Sequence, residues 1–297
     1  MNGKQNFSKA PAKTDLHMHS VFSDGTDTPD ELLSRVRAAG IGLFSVTDHD
    51  SIESSRIMPA LCAKGGTRFL SGVEFSCRDQ QGQYHILGYG YDPDAQPIQE
   101  LVARGHSYRM KKLRRRLDFL EQEFGFTFPE EEVRRLYAMH NPGKPHIGNL
   151  MVQCGFAESK EQAIREYLNR LHEHSDCIPP GDAIRAILES GGIPVLAHPA
   201  FGSGDQMIRG GEMEQRLTRL TASGLQGMEC FYSQFSAEIR EEMLAFAARF
   251  GLYVTAGSDY HGTNKQISLG DTGLGASAEL PEGMQRFLHE IEGKCAG

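Results

Sequence analysis

No run of about 18 apolar residues occurs in this 297-residue sequence, so no helical membrane span and no membrane partner are expected. The first thirteen residues are polar and lack the apolar centre of a signal peptide, so nothing marks the chain for export. Excess positive charge is missing too. Lys and Arg total 31 against 39 Asp and Glu, a net charge of −8, which argues against a broad nucleic-acid footprint. Any anionic partner must be held locally. The six cysteines, Cys62, Cys77, Cys154, Cys177, Cys230 and Cys295, form no CxxC pair and no framework spacing. Neither disulfides nor a zinc knuckle are expected, and a reducing, cytoplasmic setting is. There is no internal repeat and no low-complexity segment.

What is present suits a large core, with 39% hydrophobic and 24% charged residues. Seven β-rich runs end in polar residues: Thr14 to His19, Gly42 to His49, Thr67 to Ser76, Gln83 to Gly90, Ile193 to Pro199, Gly227 to Tyr232 and Leu252 to Asp259. Most alternate with helical segments. Thr28-Pro29-Asp30-Glu31 opens one of these, with Thr28 as cap, Pro29 at the first helical position and Glu31 closing a capping box. Such alternation predicts mostly parallel strands. From about Ile98 to Ser175 the rhythm breaks. Met110, Leu113, Leu117, Leu120 and Phe124 form an apolar stripe there, Asn141-Pro142-Gly143 interrupts the helical pattern, and Ser159-Lys160-Glu161-Gln162 reads as another capping box. An inserted cap of several short helices over 101–175 is expected, with 1–100 and 176–297 forming the α/β body that it interrupts.

Six of twelve histidines and three carboxylates lie at or near strand ends. His17 and His19 alternate onto one face as the first strand ends, the geometry of a shared metal, and Asp24 adds a hard oxygen in the next loop. The second strand ends in Thr47-Asp48-His49-Asp50. His49 is the better ligand candidate, and Asp48 is weighed between capping the next helix and orienting ligands. Residues 78–82 form a turn too short for a crossover, so a hairpin should set Glu74 opposite His85. His198 leaves the fifth run. Asp259 and His261 close the last, with glycines allowing close approach. One polynuclear metal site explains these placements better than separate accidents. His106, His140, His172, His174 and His289 fall outside it and are assigned no metal.

Through Asp15-Leu16-His17-Met18-His19-Ser20, Thr47-Asp48-His49-Asp50, Ala197-His198-Pro199 and Gly257-Ser258-Asp259-Tyr260-His261-Gly262, the sequence resembles the polymerase-and-histidinol-phosphatase, or PHP, metallophosphoesterases. The resemblance runs from Thr14 to about Gly270. It implies an α/β fold, a distorted seven-stranded (β/α)7 TIM-like barrel with an inserted helical cap. It also implies one metal among His17, His19, Glu74 and Asp259, with Glu74 bridging to a second held by His85 and His198. Asp24, His49 and His261 would hold a third. Manganese, iron and zinc all suit such mixed ligands, so two or three divalent ions are expected.

Three divalent ions outweigh three carboxylates, so the cluster favours phosphate. A metal-held water, its pKa lowered to roughly 7 in the best-known zinc case, is a nucleophile for phosphoester hydrolysis. The subgroup most resembled carries a motif present here as Gly143-Lys144-Pro145-His146-Ile147-Gly148, with Lys144 replacing the usual arginine and so losing its bidentate fork. His146 is expected to hold phosphate or protonate the leaving oxygen. Arg109 is a second anion contact. Lys111, Lys112, Arg114, Arg115 and Arg116 read mainly as a solvated face rather than an RNA-binding patch. Tyr232 is placed to stack on a base and Ser233 to bind phosphate, while Phe231 fits core packing equally well. The implied substrates are nucleoside 3′,5′-bisphosphates or the 5′ ends of short single-stranded RNA. Histidinol phosphate is the second enzymatic reading, and a non-catalytic metal-stabilised module is a reading of another class.

Overall fold

The computed structural model describes residues 13–63, 65–171, 176–202, 206–275 and 279–296. Eight strands are present there: β1 Thr14–Asp15, β2 Leu43–Phe44, β3 Arg68–Phe69, β4 Gly72–Asp79, β5 Gly82–Tyr89, β6 Ile193–Leu196, β7 Gly227–Tyr232 and β8 Tyr253–Gly257. The run expected as one strand from Thr67 to Ser76 is divided, because β3 pairs with β2 whereas β4 pairs with β5. The strands form a parallel three-stranded sheet, β1-β2-β3, and a mixed five-stranded sheet, β4-β5-β6-β7-β8. In the second sheet β5 is antiparallel to both neighbours, while β6, β7 and β8 run parallel.

The expected hairpin is the β4–β5 pair, but its register sets Ser76 opposite His85 and Glu74 opposite Leu87. Because side chains repeat every second residue, a shift of two keeps Glu74 and His85 on one face. Beyond the regular strands, isolated bridges join Met18 to Tyr260 and His49 to Glu74, so the two sheets meet at the ends that carry the histidines.

Ten α-helical segments accompany the strands among the described residues. The helix α1, Pro29–Ala38, has the full capping box: Thr28 accepts from the Glu31 backbone, and Glu31 accepts from the Thr28 backbone. The helix α2 spans Glu53–Cys62. The first helix of the expected insert, α3, is long rather than short, covering 29 residues from Gln96 to Phe124 and ending at Gly125 with φ of 69°. It serves two apolar clusters. Ile98 and Leu101 join the main core, whereas Leu113, Leu117 and Leu120 pack with Leu136, Ile147, Leu150 and Met151 in a separate cluster. The remaining helices are α4 Glu130–Ala138, α5 Lys144–Gln153, α6 Lys160–Gln162, α7 Pro180–Glu189, α8 Gly210–Ala222, α9 Ala237–Arg249 and α10 Glu282–Glu290. At α6 the Ser159 hydroxyl accepts from the Gln162 backbone, but the Gln162 side chain accepts from Glu158 rather than Ser159, so only half of that expected box forms. All six cysteines are free thiols. No helix among the described residues is long and apolar enough to cross a membrane.

Candidate metal centre

The strand ends deliver the nine expected ligand residues to one place. His17, His19, Asp24, His49, Glu74, His198, Asp259 and His261 are buried there, and His85 is half-buried. Their donor atoms fall into four groups, each within 4.8 Å: His19, Asp24, His49 and His261; His17, His19 and Asp259; His17, Glu74 and His198; His49, Glu74 and His85. The backbone explains the convergence. Asp259 N–H donates to His17 O and His19 N–H to Tyr260 O, joining the ends of β1 and β8, and Asp50 N–H donates to Glu74 O, joining the end of β2 to β4. Asp50, His198 and Asp259, the three non-glycine residues with positive φ among those described, all stand in this region. Strain so concentrated is characteristic of sites where side-chain direction matters more than backbone comfort. A Cβ on Gly257 would meet His17 Cβ at 2.2 Å and Glu229 Oε1 at 2.3 Å, so only glycine lets β8 pass this close.

Glu74 divides its two oxygens. Oε1 lies 2.9 Å from His85 Nδ1 and 3.1 Å from His198 Nε2, while Oε2 lies 3.1 Å from His49, 3.3 Å from His19 and 3.4 Å from His17. Asp24 Oδ1 sits 3.3 Å from His261 Nε2. His17 Nε2, His19 Nε2, His49 Nδ1 and Asp24 Oδ1 are buried with no hydrogen-bond partner. Leaving four such atoms unpaired costs stability, and divalent ions held by the groups they belong to would satisfy them. The donor set of imidazole and carboxylate therefore fits bound metal.

Charge follows the same geometry. Burial opposes ionisation of Asp24, Glu74 and Asp259, but interactions with the facing imidazoles and with Lys265 hold all three well below the usual carboxylate range, His261 and His49 acting on Asp24, His85 and His49 on Glu74, and Lys265 and His261 on Asp259. Burial likewise opposes charge on His17 and His19. The carboxylates prevail, raising His17 well above its ordinary value and His19 to about 9. His49 and His261 are instead held low, chiefly by burial.

Metal binding must therefore displace protons. Adding Mn²⁺ to the chelator-stripped protein at pH 7.5 is expected to release roughly two protons, readable with an indicator dye in weak buffer. A raised histidine pKa stabilises the metal-free fold below about 6.5, and that contribution is lost as pH rises through about 9 for His19. The stripped protein should therefore lose thermal stability in that alkaline range more steeply than the loaded one.

Several supporting groups escaped sequence reasoning. Glu229, fully buried, faces His17 Nδ1 at 3.0 Å and accepts from the His198 backbone N–H at 2.8 Å. A bulge between Glu229 and Phe231 lets Glu229 and Tyr232, three residues apart, both address the site. Asp15 accepts from the backbone N–H and hydroxyl of Ser258 at 2.9 and 2.6 Å, tying β1 to the residue after β8. Lys265 Nζ lies 2.6 Å from Asp259 Oδ2. Asn141 donates at 3.1 Å to the carbonyls of both His49 and Asp50, and its own carbonyl oxygen faces His106 Nδ1 at 2.9 Å.

The other expected site residues are distributed around two cavities that share His49 and His85. The first, about 260 Å³, is lined by Arg109, Lys112, Arg116 and Lys144 beside Asp24. Lys112 and Arg116 thus depart from the solvated face expected of that run, while Lys111, Arg114 and Arg115 keep to it more nearly. Arg109 is braced by Asp50 at 2.6 Å and Ser76 at 3.1 Å, and Lys144 reaches Asn169 at 2.6 Å. The second cavity, about 220 Å³, includes Phe201, Tyr232, Gln234 and Lys265. Tyr232 donates its hydroxyl to Asp259 at 2.9 Å. His146 and Ser233 line neither cavity. His146 Nδ1 accepts from the Gly143 backbone at 2.9 Å, and burial, aided by Arg109 and opposed by Asp24, holds its pKa low. Asp48 accepts from Ser20, Ser23 and Ser54, reaching His19 only through Ser23. His289 is exposed beside Glu292, His140 packs near Phe22, and His172 and His174 lie outside the described residues.

The PHP domain profile matches residues 15–176, more than half the chain. The chain belongs to the PHP domain family. It is similar to a 3′,5′-nucleoside bisphosphate phosphatase from Chromobacterium violaceum, 29% identical over 95% of this chain and 98% of that protein. A 5′-3′ exoribonuclease from Haemophilus influenzae is 28% identical over 87% of this chain and 93% of its own length. A phosphoribosyl 1,2-cyclic phosphate 1,2-diphosphodiesterase from Eggerthella lenta is 28% identical over 84% and 94%. Among solved structures, a Chromobacterium violaceum protein described as an amidohydrolase with bound sulfate and no metal superposes with a TM-score of 0.82. It is 26% identical and covers 95% of this chain and 97% of that one. A candidate metal-dependent phosphoesterase from Bifidobacterium adolescentis gives 0.79 at 26% identity, covering 95% and 98%. Family and relatives together make this PHP protein a metal-dependent phosphoesterase.

Proposed function

We propose that this PHP enzyme removes phosphate from nucleoside 3′,5′-bisphosphates and accepts the 5′ ends of short RNA as related substrates. The observation that carries this reading is the set of four unpaired buried ligand atoms beside a cavity with four cationic side chains. A substrate with two anionic groups suits that arrangement. Chromobacterium's bisphosphate phosphatase and the sulfate held by its structurally characterised neighbour support the same class. A cytoplasmic location is proposed with it, since six free thiols suit a reducing setting.

Two or three manganese, iron or zinc ions are proposed, with ligands grouped as His17, His19, Glu74 and Asp259; Glu74, His85 and His198; and Asp24, His49 and His261. Bound metals lower the pKa of water and offset charge on phosphoryl oxygens. The side chains supply the rest. Arg109 and Lys144 hold the second phosphate, Arg109 kept in place by Asp50. With its Nδ1 accepting from Gly143, neutral His146 carries its proton on Nε2, ready for the leaving oxygen. Tyr232 is proposed on the nucleoside side, whereas Ser233, which lines neither cavity, is not. The bridges at Met18–Tyr260 and His49–Glu74 support reading the two sheets as one distorted barrel, with 101–175 as its cap.

A phosphate-release panel with each of the three metals tests this. Nucleoside bisphosphates should exceed mononucleotides and histidinol phosphate by at least about tenfold in kcat/KM, the scale of one well-held charged contact. Indifference to base and ribose would count against the reading. Faster hydrolysis of histidinol phosphate or a cyclic phosphate would reassign the substrate, and inactivity on every phosphoester would leave a metal-stabilised module.

A further inference from the structure

Asp259 presents its two carboxylate oxygens to different surroundings. Oδ1 faces the imidazoles, 3.3 Å from His19 Nε2, 3.4 Å from His261 Nδ1 and 3.5 Å from His17 Nε2. Oδ2 points away from them and accepts from the Tyr232 hydroxyl at 2.9 Å and Lys265 Nζ at 2.6 Å. A carboxylate oxygen has about two lone-pair sites, so these donors occupy Oδ2 fully. Oδ1 alone is left for a metal.

Lys265 is held by its own loop rather than arriving by chance. The side chain is 37% exposed, while the carboxylate it meets is 4% exposed, so the ammonium enters from the wall of the smaller cavity. The preceding turn, Gly262–Asn264, is fastened on both sides. Thr263 N–H donates to Thr26 Oγ1 at 3.0 Å and Asn264 Nδ2 to Asp24 O at 2.8 Å, while Lys160, just after Ser159, donates to Asn264 O. A Cβ on Gly262 would lie 2.0 Å from Thr26 Oγ1, so the turn packs tightly against the loop that carries Asp24.

We propose that Lys265 is a positioning residue that confines Asp259 to one-oxygen ligation and holds down metal affinity at the position formed with His17 and His19. The inference rests on the metal-centre reading above. An ammonium on Oδ2 withdraws charge from the carboxylate, making Oδ1 a weaker donor. It also sets a fixed positive charge near a divalent cation, and like charges repel. Removing that charge should strengthen metal binding, whereas a lysine that merely supported the loop would weaken binding when lost.

The test uses the full chain, stripped with chelator and titrated with Mn²⁺ against a fluorescent competitor, with a melting curve for every variant. Lys265→Met is expected to tighten the Mn²⁺ Kd about tenfold. Lys265→Gln keeps a donor but not the charge and should tighten it at least about threefold, while Lys265→Arg keeps the charge and should stay within about twofold of wild type. Unchanged or weaker binding by Lys265→Met, with its melting curve intact, overturns the proposal. Should that variant fail to fold, Lys265→Gln decides by the same criterion. Wild-type protein that binds no Mn²⁺, Fe²⁺ or Zn²⁺ would instead overturn the metal centre itself, and this inference with it.

Discussion

Glu74→Gln is expected to lower phosphate release by at least about 10³-fold while leaving the protein folded. The carboxylate is 1% exposed, and its two oxygens address five imidazoles in two directions, His85 and His198 on one side, His17, His19 and His49 on the other. Glutamine keeps the shape but replaces one anionic oxygen with an amide NH₂, which cannot bind a cation. Whichever way the amide turns, one of the two directions loses its ligand. The substitution is nearly isosteric and preserves the backbone bonds from Asp50 N–H to Glu74 O and from Glu74 N–H to Asp48 O, so the join between β2 and β4 survives. Elemental analysis should show at least one metal ion fewer per chain, and circular dichroism should be unchanged. Activity within tenfold of wild type at full metal loading would show that Glu74 does not bridge.

The legible parts of this site were those written in adjacent residues. His17 and His19, the Thr47-to-Asp50 strand end, His198 and Asp259 with His261 each stand where an apolar run stops, and a strand's end is where a buried element can present polar groups without hiding them. The Thr28–Glu31 capping box was legible for a similar reason, since its partners are three residues apart. What depends on register or irregularity was not. The break between β3 and β4 follows from a change of pairing partner, which residues 67–76 do not announce. The hairpin's two-residue offset leaves Glu74 and His85 on one face although they do not pair, because register depends on the turn and the face only on period-two alternation. Glu229 lies inside an apolar run and is aimed by a bulge. Lys265 belongs to no motif, and Asn141 was visible only as a helix breaker, yet it fastens the carbonyls of His49 and Asp50.

Glu229→Gln should separate metal affinity from turnover. Glu229 is fully buried and holds two elements at once: its Oε1 faces His17 Nδ1 at 3.0 Å, and its Oε2 accepts from the His198 backbone N–H at 2.8 Å. The first contact fixes the His17 proton on Nδ1 and leaves Nε2, which lies 3.4 Å from Glu74, free to ligate. The second holds His198 at its unusual φ of 26°. A glutamine has one acceptor oxygen for these two donors, so it satisfies either the imidazole or the backbone. Its NH₂ group then faces a donor. Metal affinity should fall about 10- to 100-fold, the range found when a carboxylate behind a ligating histidine is removed. Because no reacting atom touches Glu229, saturating Mn²⁺ should restore kcat to within about fivefold, a recovery Glu74→Gln should not show. Glu229→Ala goes further, leaving the His198 N–H unpaired at a cost of about 1–3 kcal/mol, and its melting temperature should drop with or without metal. A Glu229→Gln enzyme that stays slow at saturating metal, with normal metal content, would place Glu229 in the reaction itself rather than behind His17.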